Sequence, residues 1–139
     1  MHFIDTNMLV GAADRGDDLH AIGREILTQV AKGRFGGTIL CDFVLDETLT
    51  ILSKRKDVGP KIAGKFVRAL LESPRIRCVF VDEPLFMDAL GIFERYGQPL
   101  SFTDATIVAV MRAQGCDTLF SNDDDFDRIP GIVRRTEAT

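Results

Sequence analysis

Short apolar runs alternate with longer stretches of helical period along the whole chain, and this alternation most constrains what it can fold into. His2-Phe3-Ile4-Asp5 reads as a buried strand that ends at its acid. Residues 18–32 carry Leu19, Ile22, Ile26, Leu27 and Val30 at helical spacing. Gly36-Gly37 then breaks the pattern before a second strand, Thr38-Ile39-Leu40-Cys41. Asp42 is a fitting N-cap for a helix with Val44, Leu45, Leu49 and Leu52. Gly59-Pro60 opens another helix that runs to Glu72, and Pro74 closes it. Residues 77–81 read as a third strand, and Leu85 to Tyr96 as a helix stopped by Gly97. Asp104 to Ala113 form a strongly apolar helix stopped by Gly115. Thr118-Leu119-Phe120 is a fourth strand and Gly131-Ile132-Val133 a fifth. Strands that alternate with helices predict a short, mostly parallel sheet covered on both faces, an α/β class fold. Ligands in such sheets bind beyond the carboxyl ends of the strands.

At 139 residues the chain is expected to make a single domain over 1–139. No run approaches the roughly 18 apolar residues of a membrane span, so no membrane role is expected. Asp5 falls where the apolar part of an export signal would build, and a cytoplasmic location is expected. Cys41, Cys78 and Cys116 are odd in number and widely spaced, which argues against a disulfide framework or a zinc site. His2 and His20 are the only histidines, so Ser-His-Asp or Cys-His chemistry has little to draw on. No glycine-rich phosphate loop is present.

Acids recur at the carboxyl ends of the strands. Asp5 ends the first, Asp42 comes after the second with Asp46 and Glu47 one turn on, and Asp82-Glu83 come after the third. Asp123, Asp124 and Asp125 lie beyond the fourth, and Asp104 opens the most apolar helix. Asp42, Asp82 and Glu83 are accounted for as helix caps and dipole partners, and Asp104 could be a cap as well. Asp5, set between Ile4 and Thr6, has few structural reasons to be charged. Carboxylates brought together repel unless a cation neutralises them. Convergence of Asp5, Asp104 and one of Asp123–Asp125 would therefore imply a divalent metal. Oxygen ligands without nearby His or Cys point to Mg2+ or Mn2+.

Charge is unevenly spread. Residues 54–77 hold eight of the 17 basic residues and only two acids, so the rest of this net −4 chain is strongly acidic. Such a segment is either a solvated helix face or a polyanion-binding surface.

These residues resemble a known family. Phe3-Ile4-Asp5-Thr6-Asn7-Met8-Leu9-Val10 resembles the opening motif of PIN-domain nucleases. Val44-Leu45-Asp46-Glu47-Thr48-Leu49 is similar to their second motif and Leu100-Ser101-Phe102-Thr103-Asp104-Ala105 to their third. Leu119 to Phe126, followed by Ile129-Pro130-Gly131-Ile132, is similar to their fourth. The motifs occur in family order over nearly the whole chain, and the length is most like VapC-type toxins of toxin–antitoxin pairs. The resemblance implies a three-layer α/β/α fold and a metal-dependent endoribonuclease. Asp5, Glu47, Asp104 and Asp123 would form its acidic quartet, with Asp125 as reserve ligand. Asn7 and Ser121 would orient ligands or the scissile phosphate. It also implies an RNA substrate, a cognate antitoxin and a homodimer, for which Phe86, Leu90 and Phe93 or the apolar side of the 59–72 helix are candidate patches. Two other readings stay open: a non-toxin PIN nuclease acting in RNA processing or on structured DNA, and a metal-binding regulatory α/β domain without catalysis. A receiver-like regulator would need a lysine after a late strand, and no lysine follows Lys65.

Overall fold

A computed structural model describes residues 1–139. Five parallel strands form one sheet in the order β3-β2-β1-β4-β5. They are β1 (His2–Ile4), β2 (Thr38–Cys41), β3 (Ile76–Val79), β4 (Thr118–Phe120) and β5 (Val133–Arg135). The flanking helices are α1 (Thr6–Ala13), α2 (His20–Ala31), α3 (Asp42–Ser53), α4 (Gly59–Glu72), α5 (Glu83–Tyr96) and α6 (Phe102–Gln114). This is the three-layer α/β/α arrangement of a PIN-like fold. No helix is long and apolar enough to cross a membrane.

The core explains why the strands read as continuous apolar runs. Phe3, Ile4, Leu40, Leu119 and Phe120 are fully buried, and burying each such side chain stabilises the fold by roughly 2 kcal/mol. Helix α6 is buried at every residue from Ala105 to Met111, so it passes through the core rather than over it. The three cysteines are free, with Cys41 and Cys116 buried. His2 packs flat on Phe120, with ring centroids 5.3 Å apart, and its Nδ1 lies 3.0 Å from the Phe35 carbonyl oxygen. It is a packed residue far from any catalytic use.

The observed elements depart from the sequence expectation at several points; β3, for one, runs Ile76–Val79, so Phe80 and Val81 lie beyond it. Residues 6–13 form α1, which the periodicity does not reveal because six of its eight residues are buried. Asp42 is not the cap of α3. Cys41 occupies the N-cap position, while Asp42 reaches across to accept a hydrogen bond from the Val81 N–H at 2.9 Å, tying β3's exit to the start of α3. Strand β5 begins at Val133 rather than ending there, because the ladder with β4 pairs Thr118 with Val133 and Phe120 with Arg135.

Two features place the site. Chain order runs outward from β1 through β2 to β3 on one side, and through β4 to β5 on the other. Strand order therefore reverses between β1 and β4, and the crevice beyond their carboxyl ends is where open parallel sheets bind ligands. Helix α1 also starts with no intervening loop. Asp5 leaves β1 with its N–H on the Phe120 carbonyl at 2.9 Å, and its side chain accepts from the Thr6 N–H at 2.7 Å. One residue thus ends a strand and caps a helix.

Candidate active site

A cleft of about 340 Å³ opens at this switch point. Asp5, Glu47, Asp104 and Asp123 all line it, together with Asp17, Arg55, Thr6, Asn7 and Ser101. The four acids come from four places: the end of β1, the middle of α3, the first turn of α6, and the loop after β4.

Asp5 is the best anchored. Its Oδ1 takes the Thr6 N–H. Its Oδ2 accepts from the Ser121 hydroxyl at 2.6 Å and from the Asn7 amide at 3.2 Å. Asn7 also donates to Ser121 Oγ at 3.2 Å and accepts from the Asn122 N–H at 3.2 Å. Ser121 Oγ in turn accepts from the Asp123 N–H at 3.0 Å. Asn7 and Ser121 therefore hold the Asp5 carboxylate and shape the loop that carries Asp123. Arg134, on β5, secures the same loop through the Ser121 carbonyl at 3.3 Å while paired with Asp127 at 2.9 Å. Nothing in the sequence pattern marks Arg134 for this task.

Burial pushes the Asp5 carboxyl up to about 7, and the charges of Asp104 and Glu47 add to the rise, while the Ser121 and Thr6 hydrogen bonds oppose it. Asp104 is also raised, again first by burial, against its bonds to Ser101 and with help from Asp123 and Glu47. The acids of the cleft therefore sense one another.

Asp104 has two roles at once. Ser101 is the N-cap of α6, and the two residues form a capping box: the Asp104 N–H donates to Ser101 Oγ at 3.1 Å and the Ser101 N–H to Asp104 Oδ2 at 3.0 Å. Only one of its oxygens is used, and the residue still lines the cleft. Glu47 is half-buried on α3, facing the cleft, whereas its neighbour Asp46 is exposed.

At the fourth position Asp123 lines the cleft and Asp125 does not. Asp123 caps a short 3₁₀ turn, Asp124–Arg128, by accepting from the Asp125 N–H at 2.9 Å. Asp124 and Asp125 lie on that turn beside Asp123 but do not themselves line the cleft. The expected close convergence is met only in part. The single trio of acidic oxygens within 4.8 Å of one another is Asp123–Asp125; no three of the quartet approach so closely. Asp5, Asp104 and Asp123 are each held by their own hydrogen bonds, which space them around the cleft.

The basic segment separates by position. Lys61, Lys65 and Arg68 are exposed on α4, and Arg55 alone of the segment lines the cleft. Of the other arginines near motif acids, Arg128 is occupied with the Tyr96 and Gln98 carbonyls at 2.9 and 3.3 Å. Arg112 borders a separate groove between α5 and α6, and Arg15 is exposed.

A family model described as PIN domain matches residues 2–132. The chain belongs to the PIN-domain family. It is 30% identical over 104 residues to a VapC ribonuclease of Archaeoglobus fulgidus, which covers 73% of this chain and 64% of that protein. The chain thus spans just under two thirds of that relative. Among solved structures, VapC20 of Mycobacterium tuberculosis, described as a sarcin-ricin loop cleaving toxin, superposes with a TM-score of 0.81 at 26% identity, covering 94% and 95% of the two chains. A VapBC complex of Rickettsia felis bound to a promoter DNA fragment shares the fold at 20% identity, with a TM-score of 0.68 and 96% of each chain covered.

Proposed function

We propose that this PIN domain is a metal-dependent endoribonuclease of the VapC type, acting in the cytoplasm. The observation that carries this reading is the quartet Asp5, Glu47, Asp104 and Asp123, drawn from four elements into one cleft at the switch point of the sheet. Its donors are all oxygens, its charges crowd one another, and the buried Thr6 hydroxyl beside Asp5 has no protein partner. That set suits a hard divalent ion, Mg2+ or Mn2+. Asp5, Asp104 and Asp123 would hold the ion, with Glu47 serving a second ion or acting as a base that orients water. Bound there, the ion supplies Lewis acidity toward phosphate and an acidified water. Asn7 and Ser121 hold Asp5 Oδ2 and the Thr6 N–H holds Oδ1, so both oxygens are fixed before substrate arrives.

The test is labelled RNA incubated with Mg2+ or Mn2+, and with EDTA. The sarcin-ricin loop, the substrate of the Mycobacterium relative, is the first structured RNA to try. Cleavage should require the metal. Asp5→Asn and Asp104→Asn should each reduce it by at least about a hundredfold, since even outer-shell partners of a metal are worth 10–100-fold. Metal-independent cleavage, or full activity in Asp104→Asn, would refute the reading.

Similarity to toxin–antitoxin complexes supports a cognate antitoxin as partner. A homodimer is part of the same proposal. Phe86 and Met87, on the first turns of α5, are 41% and 56% exposed, with Phe80 nearby in sequence at 66%. Leu90 and Phe93, further along the same helix, are half-buried. Isolated exposed apolar residues are ordinary, but three large ones within eight positions suit a partner surface. Sedimentation should give a dimer at micromolar concentration, reverting on Phe86→Ser with Met87→Ser; a clean 15.4 kDa species in the unmodified protein overturns the dimer.

A further inference from the structure

We infer that Arg55 is the phosphate-anchoring residue of the cleft, a positioning residue that holds the RNA backbone beside the scissile bond. The inference rests on the nuclease reading above. Arg55 is the only cation in a cleft lined by five carboxylates: Asp5, Asp17, Glu47, Asp104 and Asp123. Such a cleft repels a polyanion, and a metal ion at the quartet offsets that only locally. A cation set to one side of the quartet is the economical remedy.

The way Arg55 is held argues for this use. Asp14 and Asp17 both bind the same nitrogen, Nη1, at 3.1 and 3.2 Å. Those are the side chain's only hydrogen bonds, so Nε and Nη2 keep three N–H groups without a protein partner. An arginine serving only as a structural tie would present its fork to one carboxylate, as Arg134 does to Asp127 through Nε and Nη2. Here the two aspartates are themselves fixed. Asp14 Oδ1 takes the Gly16 N–H at 2.9 Å, and Asp17 Oδ1 takes the Leu19 N–H at 2.8 Å. The loop between α1 and α2 is therefore a bracket that orients a guanidinium whose free edge is available to a phosphate.

Position fits a flanking phosphate rather than the reacting one. Arg55 lies two residues past the end of α3, and that end, Ser53, is about 9 Å along the helix axis from Glu47. The side chain is 38% exposed, so solvent and ligand reach it, while Asp14 behind it is only 7% exposed.

Binding of a short fluorescein-labelled single-stranded RNA, followed by anisotropy over a range of salt, tests this without relying on cleavage. Arg55→Gln should weaken binding about tenfold and flatten the slope of log K against log salt by about 0.7, the value of one lost phosphate contact on a single strand. Arg55→Lys should keep the slope. The double variant Asp14→Asn with Asp17→Asn removes the ion pairs and keeps the guanidinium, so its salt slope should match the unmodified protein. An unchanged slope in Arg55→Gln, or a double variant that loses the slope as Arg55→Gln does, would overturn the inference. Failure of the unmodified protein to cleave RNA with Mg2+ or Mn2+ would refute the nuclease reading instead, and the anisotropy slopes would still decide on Arg55.

Discussion

The metal-free protein should lose stability as pH rises from about 4 to about 7, and then level off. The cause is Asp5. Burial lifts its carboxyl from the ordinary 3.8 to about 7, assisted by Asp104 and Glu47. Between those two values the folded state keeps a proton that the unfolded chain has released. Stability from this group is therefore complete below pH 4 and is lost progressively up to pH 7. The difference amounts to on the order of 4 kcal/mol, a large part of the 5–15 kcal/mol that holds a typical domain together. Thermal melts in EDTA across pH 4–8 would show it. Adding Mg2+ or Mn2+ should raise the melting temperature more at pH 7 than at pH 5, since a bound cation relieves the ionised cluster. Asp104→Asn should raise the melting temperature of the metal-free protein at pH 7 by a few degrees. It removes a charge that presses on Asp5 and leaves an amide oxygen to accept from the Ser101 N–H. A flat melt-versus-pH curve, or a lower melting temperature for Asp104→Asn at pH 7, would show that capping outweighs repulsion.

The sheet and the acids were legible because buried parallel strands are apolar without interruption, so a carboxylate at a strand end stands out. Asp5 is the clearest case, a charged residue at 4% exposure between Ile4 and Thr6. Asp104 was readable as a cap and as a site residue, and it is both, which spacing alone does not separate. Two kinds of information were hidden. Helix α1 has no polar face to mark its period, since α2 and α3 pack against it and six of its eight residues are buried. Pairings distant in sequence left no local trace either. Arg55 meets Asp14 across 41 positions, and Asp42 meets Val81 across 39. In sequence, Arg55 is one of eight bases in a charged segment, and Asp14-Arg15-Gly16-Asp17-Asp18 looks like any solvated loop. Only the fold distinguishes the arginine at the cleft from the lysines on α4.

Gly23→Ala should be among the most damaging single substitutions outside the acidic quartet, although helix propensity argues the opposite. Within a helix, glycine costs up to about 1 kcal/mol relative to alanine, and Gly23 lies inside α2. Its missing side chain, however, is where α1 passes. A Cβ there would sit 2.4 Å from the Met8 carbonyl oxygen and 2.6 Å from the Ala12 nitrogen. Both are backbone atoms, so no rotamer change relieves the clash; α1 or α2 must move by roughly 1 Å to restore ordinary contact. Overpacking of this kind costs about 3 kcal/mol or more, which outweighs the propensity gain and should lower the melting temperature by roughly 10 °C. The shift also reaches the site. Asp5 caps helix α1 and Asn7 sits in its first turn; their bonds to Ser121 are 2.6 and 3.2 Å long, so the displacement loosens the anchor of the quartet. A misplacement of about 1 Å can cost a hundredfold in rate, and cleavage should fall even in the fraction that remains folded. Gly64→Ala and Gly91→Ala are the controls. Both residues lie inside helices with nothing within 4 Å of the added carbon, so each should stabilise the protein by up to about 1 kcal/mol. If Gly23→Ala melts as high as those two, the close approach of α1 to α2 is not what holds Asp5 in place.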